Sequence, residues 1–398
     1  MTDPHDRPSP WRVLAAATAL NAPVGALYAF SVFLRPLESL LGLHRADLAL
    51  VFAVAAAFFG VGMMLAPALY RLGSAPWLVL ACAASNALGM ALAATAGGLL
   101  QLAIGYGAFF GLGGGAAYIL VQQMVNLAVT RRQGLVNGYI VSLLPAGAMI
   151  AAPTFGWTIR VFGVRASLGG FAVALVVTGL ASAWLAARAG ISLAGASGGV
   201  AIAEHERRRP VFWRLSLVFF LAASAGLMVL SQAAGIITAY GGAASLAVYG
   251  TTLITAVIAG ARLGGGWMVD WLAIPTVAAG ANAVALAGHV VLTLWPGPWV
   301  AVVALALVGL GYGMVSGLTA AAVAVYWRRA LYGRMASRVY LAWSAAAIVL
   351  PIVAGRLFDL THGYGTAVLI AGGSNALGVL VALGLPRRPP SAEPMGRS

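Results

Sequence analysis

The sequence predicts an all-α membrane protein with twelve transmembrane helices in two pseudo-symmetric six-helix bundles. Hydrophobic residues make up 62% of the 398-residue chain and charged residues only 8%, with a mean hydropathy of +0.95. A soluble domain is typically about a quarter charged, so this chain cannot cover a surface that faces water. Its apolar residues lie in runs long enough to cross a bilayer, and features of these runs recur in the second half of the chain.

The apolar runs predict twelve spans, because a bilayer-crossing helix needs about 20 mostly apolar residues. The first run is too long for the core of a signal peptide, so we expect it to remain as an uncleaved span. The twelve runs cover roughly residues 11–35, 46–69, 75–96, 98–129, 133–160, 166–188, 211–239, 244–270, 274–295, 298–327, 334–358 and 364–386.

The distribution of arginine predicts the orientation of the spans. All 23 basic residues are arginine; with the N-terminus inside, 17 fall on the cytoplasmic side, five fall outside and Arg262 remains within a span. Cytoplasmic loops collect positive charge, so we expect a multi-pass protein of the cytoplasmic (inner) membrane with both termini in the cytoplasm. The formal net charge of +14 therefore belongs to loops beside the lipid bilayer, and we expect no nucleic-acid partner.

The longest polar connection, residues 189–210, divides the chain into two halves, residues 1–188 and 211–398. It contains GASGG followed by EHERRRP, and we interpret it as a cytoplasmic linker. Three features recur between the halves with nearly constant spacing. RRQGLVNG is matched by RRALYGR, APTFGW by LPIVAG and APALYRLG by GWMVDWLA, at offsets of 197, 198 and 200 residues. Two six-span halves with a binding site between them at the membrane midplane are a transporter architecture.

The motifs ALYAFSVFLRPL, GLGGGAAY, RRQGLVNG, AGLMVLSQAAGI, ARLGGGWMVD and GLGYG resemble those of a major facilitator superfamily transporter over nearly the whole chain. YAFSVF together with the spacing R-x-x-x-G-x-x-x-D in span eight more narrowly resembles the oxalate/formate antiporter and monocarboxylate porter families. The resemblance implies that the span-eight arginine, Arg262 in this sequence, binds the substrate carboxylate.

Arg262 is a candidate binding residue on physical grounds as well. It precedes Asp270, at the end of its span, by eight residues, which places it about 12 Å deep in the membrane. A charge at that depth costs at least ~2.5–3.5 kcal/mol and usually faces a polar cavity. Its counterpart in the first half is Gly62, so the fold does not require the charge. A guanidinium suits a carboxylate by bidentate hydrogen bonding, although a structural arginine satisfied by backbone carbonyls is the alternative.

Two departures from the related families bear on the substrate. Proton-coupled monocarboxylate porters often carry an aspartate where this chain has Ile258, and oxalate carriers have a lysine where it has Trp343. A single cation beside an aromatic wall fits one carboxylate, whereas the second carboxylate of a dianion would be desolvated without a partner. His289 could titrate, although a packed neutral histidine is the alternative.

Four further polar residues are candidates for the wall of the cavity: Tyr28, Tyr118, Gln232 and Tyr312. Tyrosine offers an apolar face and one hydroxyl, which suits a small organic acid. For each residue taken alone, packing or a position at the membrane interface explains the sequence equally well. Tyr28 is the best of them, because it belongs to the YAFSVF element.

Charged residues at the predicted cytoplasmic ends of the spans suggest a gate. We expect Asp270 to form an ion pair with an arginine of the RRALYGR loop, and Tyr70 to replace the superfamily's usual aspartate in the first half. Topology signals alone are the alternative explanation of these arginines. The candidate gating residues are Asp270, Arg328, Arg329, Arg334, Arg71 and Gly73.

The sequence thus predicts a monomeric secondary transporter that moves a small monocarboxylate by alternating access, with a proton or an anion as the candidate co- or counter-transported ion. An exporter of an amphipathic compound and a transport-dead sensor or scaffold are the alternatives. We expect no enzyme activity and no cofactor, because paired carboxylates, metal-ligand spacing and a nucleophile with its base are absent from the spans. The lone Cys82 excludes an internal disulfide.

Overall fold

The computed structural model describes residues 8–193, 208–361 and 363–387, and within them it is built from membrane-length helices. The helices, numbered as the twelve predicted spans, are α1 (Pro10–Leu41), α2 (Arg45–Leu69), α3 (Ala75–Ala94), α4 (Leu99–Ala128), α5 and α6 (together Gln133–Ala189), α7 (Arg209–Ala239), α8 (Ala244–Val269), α9 (Ile274–Leu294), α10 (Pro298–Tyr326), α11 (Tyr332–Thr361) and α12 (Gly365–Leu383). The predicted all-α fold class is confirmed.

Ten helical stretches among the described residues are long and apolar enough to cross a membrane, and two considerations reconcile them with twelve spans. Gln133–Ala189 has 57 residues, so at 1.5 Å per residue it is about 85 Å long and must cross twice. Its backbone leaves helical geometry at Gly163, with φ 82° and ψ 171°, a conformation that glycine adopts readily. The 30-residue α11 completes the set, and its arginines make it more polar than the others.

Each half is tied together where its first and last helices meet. Arg12 at the start of α1 donates to the Arg188 carbonyl at the end of α6 (2.8 Å), and Arg214 in α7 donates to the Gly384 carbonyl after α12 (2.7 Å). Cations at helix C-termini satisfy carbonyls that the helix itself leaves unpaired. These contacts add a fourth repeated feature to those noticed in the sequence. Most of the predicted linker, residues 194–207, lies outside the described residues.

Glycines allow α8 to lie in close contact with helices on both sides. A Cβ on Gly138 of α5 would lie 2.8 Å from the Arg262 carbonyl, and one on Gly317 of α10 would lie 1.8 Å from it. Between the halves, a Cβ on Gly134 would lie 2.3 Å from the Gly266 carbonyl. Small residues at such crossings let backbones approach where larger side chains would hold them apart. The backbone of Arg262 is therefore held between α5 of the first half and α10 of the second.

Candidate functional site

A small cavity lies between the two halves, and Arg262 forms part of its wall. Its empty space is about 270 Å³, part of which is open to solvent. The room left for a solute within it is about that of one water molecule, so the cavity is nearly closed in this conformation. The residues that line it are Tyr28, Phe59, Met63, Tyr118 and Leu144 from the first half, and Phe219, Arg262, Ser316, Tyr340 and Trp343 from the second.

The Arg262 side chain is 3% exposed and only partly satisfied by the protein. Nη1 donates to the Val141 carbonyl (3.1 Å) and Nη2 donates to the Tyr312 hydroxyl (3.1 Å). Nε is buried and has no hydrogen-bond partner among the described residues. A buried donor without a partner costs about 1–3 kcal/mol, and more in a charged group. The recorded ion pairs of the described residues do not include Arg262, so its charge is not balanced by a carboxylate of the described chain.

The Tyr312 hydroxyl bonds both Arg262 and Trp343. Trp343 belongs to a group of packed aromatic side chains along the cavity, which we call the aromatic wall: Tyr28, Phe59, Tyr118, Phe219, Tyr340 and Trp343. The Tyr312 hydroxyl accepts its second hydrogen bond from Trp343 Nε1 (2.9 Å), and the guanidinium carbon lies 5.5 Å from the Tyr312 ring centroid. Because the hydroxyl oxygen accepts two hydrogen bonds, its own proton remains available for donation. The ring of Trp343 in turn contacts Tyr28 and Phe59, with centroid distances of 6.3 and 5.8 Å.

The aromatic wall continues beyond Trp343. The ring of Phe59 lies 5.8 Å from Tyr118, that of Tyr118 lies 5.3 Å from Tyr340, and that of Tyr340 lies 5.4 Å from Phe219, all between centroids. Such pairs are worth about 0.5–1.5 kcal/mol each beyond the area they bury. The side chains of this wall hold one another in place and leave the guanidinium as the charged group of the cavity.

Tyr28 is carried on a stretch of α1 that is not α-helical. The segment Gly25–Phe33 forms a 3₁₀ helix that begins two residues after Pro23. The facing part of α4, Ala103–Phe110, is a π-helix, and its Tyr106 hydroxyl donates to the Leu27 carbonyl (3.3 Å). Stretches of 3₁₀ and π geometry inside longer helices often mark functional positions. Here the two irregular segments meet beside the half-buried Tyr28.

The structure brings four of the five residues predicted to accompany Arg262 close to it. Tyr28, Tyr118 and Trp343 line the cavity, and Tyr312 lies directly behind them. Gln232 lies elsewhere, where its amide oxygen accepts a hydrogen bond from the Tyr364 hydroxyl (3.3 Å).

Two other positions singled out in the sequence lie away from the cavity. His289 faces α12, because a Cβ added to Gly372 of that helix would lie 3.3 Å from the Cβ of His289. A Cβ on Gly62 would lie 2.2 Å from the Leu112 carbonyl, so α2 has no room for a side chain at the counterpart of Arg262. The requirement for close packing thus explains why the charge occurs in one half.

Asp270 connects the halves through a helix N-terminus. Its Oδ1 accepts from the Gly134 amide (2.7 Å) and its Oδ2 accepts from the Leu135 amide (2.9 Å), both in the first turn of α5. An anion at this position is favoured by the unpaired amides and by the helix dipole.

The predicted ion pair of Asp270 is not found among the described residues, whose recorded ion pairs are His44–Asp47 and Arg45–Glu38. Of the three arginines predicted to pair with Asp270, Arg329 contributes to the contact between the halves through its carbonyl rather than its charge. We call the surface formed by residues 70–74, 129–132, 270–273 and 327–331 the arginine-rich face. The predicted partners were Arg328, Arg329 and Arg334.

A second connection on the arginine-rich face uses α4 and the start of α11. Gln123 Oε1 accepts from the Gly333 amide (2.6 Å), and Gln123 Nε2 donates to the Arg329 carbonyl (2.9 Å). Its neighbour Gln122 accepts from the Tyr332 hydroxyl (2.7 Å). Together with Asp270, these contacts between halves close the arginine-rich face.

The loop after α2 takes part in this closure through packing. The buried Tyr70 hydroxyl would lie 2.5 Å from a Cβ on Gly333, and it has no hydrogen-bond partner among the described residues. A Cβ on Gly73 would lie 2.3 Å from the Trp77 ring, while the side chain of Arg71 is exposed. Tyr70 therefore fills, without a charge, the place that Asp270 occupies in the second half.

Comparisons with known proteins identify the fold. A family model described as Major Facilitator Superfamily matches residues 14–337. The proton:xylose symporter XylE bound to 6-bromo-6-deoxy-D-glucose is similar with a TM-score of 0.77 at 13% identity, covering 95% of this chain and 96% of that one. The transporter FucP in the outward conformation is similar with a TM-score of 0.76 at 17% identity, covering 95% and 98%. No curated protein sequence matches the chain.

Proposed function

The chain belongs to the major facilitator superfamily, and from that premise we propose that it is a secondary transporter of a small monocarboxylate that works by alternating access. One observation carries the choice of substrate. Arg262 is a buried cation in the cavity between the halves, and its Nε–H has no partner among the described residues. A carboxylate would accept hydrogen bonds from Nε–H and a neighbouring Nη–H and would balance the charge.

The composition of the cavity favours one carboxylate over two. Arg262 is the cation among the residues that line the cavity, and a second carboxylate would lose its hydration without gaining a partner. The remainder of the substrate would meet the rings of Phe59 and Trp343 and the hydroxyls of Tyr28 and Tyr118. These surroundings suit a short acid of the formate, lactate or pyruvate type.

A neutral sugar is the competing substrate suggested by the structural neighbours, which are named as xylose and fucose symporters with protons. Their identity to this chain is 13–17%, which supports the shared fold alone. A sugar would leave the charge of Arg262 without a counter-ion, and so would the cargo of a general exporter of neutral amphipathic compounds. A carboxylate accounts for the charge.

The topology belongs to the same proposal. The excess of arginine supports placing the arginine-rich face and both termini on the cytoplasmic side of the inner membrane. Residues 1–188 and 211–398 would be the two moving halves, with residues 189–210 as the linker between them. Because one chain contributes every residue that lines the cavity, we propose that the monomer transports.

A thermal-shift screen of the purified protein tests the substrate class. We expect formate, lactate or pyruvate to raise the melting temperature, while xylose and fucose leave it unchanged. A ligand at 100 times its Kd stabilises the folded state by ~2.7 kcal/mol. Arg262→Gln is the matched control and should abolish the shift. Stabilisation by sugars in both proteins would overturn the assignment, and no shift with any acid at either of two pH values would favour a sensor or scaffold.

Replacing Trp343 tests the specificity for one carboxylate. In Trp343→Lys we expect the affinity for oxalate or malonate to rise at least tenfold relative to a monocarboxylate, because a second cation is placed in the cavity beside Arg262. Trp343→Phe removes the hydrogen bond to Tyr312 but adds no charge, so it should gain no affinity for dicarboxylates. Competition uptake assays in proteoliposomes measure both. An unchanged substrate range in Trp343→Lys would mean that position 343 does not contact the substrate.

A further inference from the structure

We propose that Pro145 is a positioning residue for Arg262. In an α-helix the N–H of each residue donates to the carbonyl four residues earlier, and proline has no N–H. Pro145 lies inside α5, so the Val141 carbonyl lacks the partner that the helix would otherwise give it. That carbonyl is the one that accepts the hydrogen bond from Arg262 Nη1, at 3.1 Å. The proline thus creates the acceptor that the arginine uses.

This hydrogen bond joins the two halves at the cavity. Val141 lies on α5 in the first half, and Arg262 lies on α8 in the second. One turn earlier in α5, Gly138 lies against the Arg262 backbone, and Leu144, immediately before Pro145, lines the cavity. The same two turns of α5 therefore contact Arg262 through its backbone and its side chain.

The consequence concerns the direction in which the guanidinium faces. Nη1 is held by Val141 and Nη2 by Tyr312, which leaves Nε for a ligand. A residue with an N–H at position 145 would compete for the Val141 carbonyl and release Nη1. The side chain would then lose one of its two anchors, and its orientation toward the ligand would be less well defined. This part of the inference rests on the proposed role of Arg262 in substrate binding.

Pro153 provides a matched control in the same helix. Its missing N–H frees the Met149 carbonyl by the same rule, and Met149 is 40% exposed and takes no part in the hydrogen bonds of Arg262. Pro153→Ala therefore changes the helix in a chemically identical way without affecting the arginine.

A stability cycle without substrate tests the link between the two residues. In the Arg262→Gln background we expect Pro145→Ala to raise the melting temperature, because its N–H then pairs with a carbonyl that has lost its donor. When Arg262 is present, Pro145→Ala should raise the melting temperature by less, or lower it, because the new N–H and Arg262 Nη1 compete for the Val141 carbonyl. Pro153→Ala should have equal effects in both backgrounds. Equal changes in melting temperature on Pro145→Ala with and without Arg262 would overturn the proposal. If Pro145→Ala fails to fold, Pro145→Gly supplies the same N–H and should show the same dependence on Arg262.

Uptake measurements then test the consequence for binding. We expect Pro145→Ala to raise KM for the carboxylate about tenfold with a smaller change in maximal rate, while Pro153→Ala stays close to wild type. Equal changes in KM for the two variants would show that proline acts through the shape of the helix, which contradicts the proposal. The stability cycle contains no substrate, so it still reports on the contact between Pro145, Val141 and Arg262 if the carboxylate assignment itself fails.

Discussion

Replacing Arg262 by glutamine is expected to reduce carboxylate uptake at least 100-fold. The guanidinium is the cation among the residues that line the cavity, and glutamine supplies neither the charge nor the two-donor edge. Losing one partner of a buried, hydrogen-bonded charge pair costs about 2–5 kcal/mol, and each 1.4 kcal/mol is a factor of ten. Initial rates in proteoliposomes over a range of substrate concentrations measure the loss.

Two further variants separate the contributions of Arg262. Arg262→Lys keeps the charge but loses the planar donors, so we expect activity between those of wild type and Arg262→Gln. Tyr312→Phe removes the hydroxyl that holds Nη2 and should weaken binding less than either change at position 262. We expect Arg262→Gln to remain folded, because the charge that it removes costs at least ~2.5–3.5 kcal/mol at membrane depth. Normal uptake by a well-folded Arg262→Gln variant would place the substrate elsewhere.

The fold and the charged centre of the site could be predicted from the sequence for physical reasons. A bilayer forces each crossing segment to be about 20 apolar residues long, so the spans are visible as runs. Placing an arginine in such a run costs free energy, so its presence there indicates a role, and Arg262 could be singled out for this reason. Tyr28 was found through its motif, and Trp343 through the resemblance to oxalate carriers, which have a lysine at that position.

The rest of the cavity wall had no such signal. Phe59, Tyr340 and Phe219 are aromatic residues in apolar helices, and in a bilayer both the core and the lipid-facing side of a helix are apolar. Only the packing of the helices distinguishes a residue of the cavity from its neighbours. Gln232 is the opposite case. As a polar residue at membrane depth it was predicted to line the cavity, whereas in the structure it contacts Tyr364 instead.

The partner of Asp270 was missed for a related reason. Pairing charges along the sequence favours arginines, whereas the structure uses the amides of Gly134 and Leu135. Backbone amides at a helix N-terminus are donors in every sequence, so no residue type announces them. Gln123, which makes the matching contact with α11, likewise lies in a span where its partner could not be inferred.

Asp270→Asn is expected to open the arginine-rich face at least tenfold more often than in wild type. Asparagine has no charge, and its NH2 group, a donor, would replace one of the two oxygens that accept from the amides of α5. Hydrogen bonds to charged groups contribute ~1.5–3 kcal/mol, and the contact joins the two halves only while this face is closed.

A cysteine introduced at Ala336 reports the opening. Ala336 is fully buried on α11, one turn from both Tyr332 and Tyr340, and the native Cys82 can be replaced by serine. Labelling by a membrane-impermeant thiol reagent added from the arginine-rich side should be faster in Asp270→Asn. Asp47→Asn is the matched control. Asp47 also accepts a hydrogen bond from a backbone amide at the start of a helix, but the donor, His44, belongs to the same half. Equal labelling rates in Asp270→Asn, Asp47→Asn and wild type would show that the Asp270 contact does not hold this face closed.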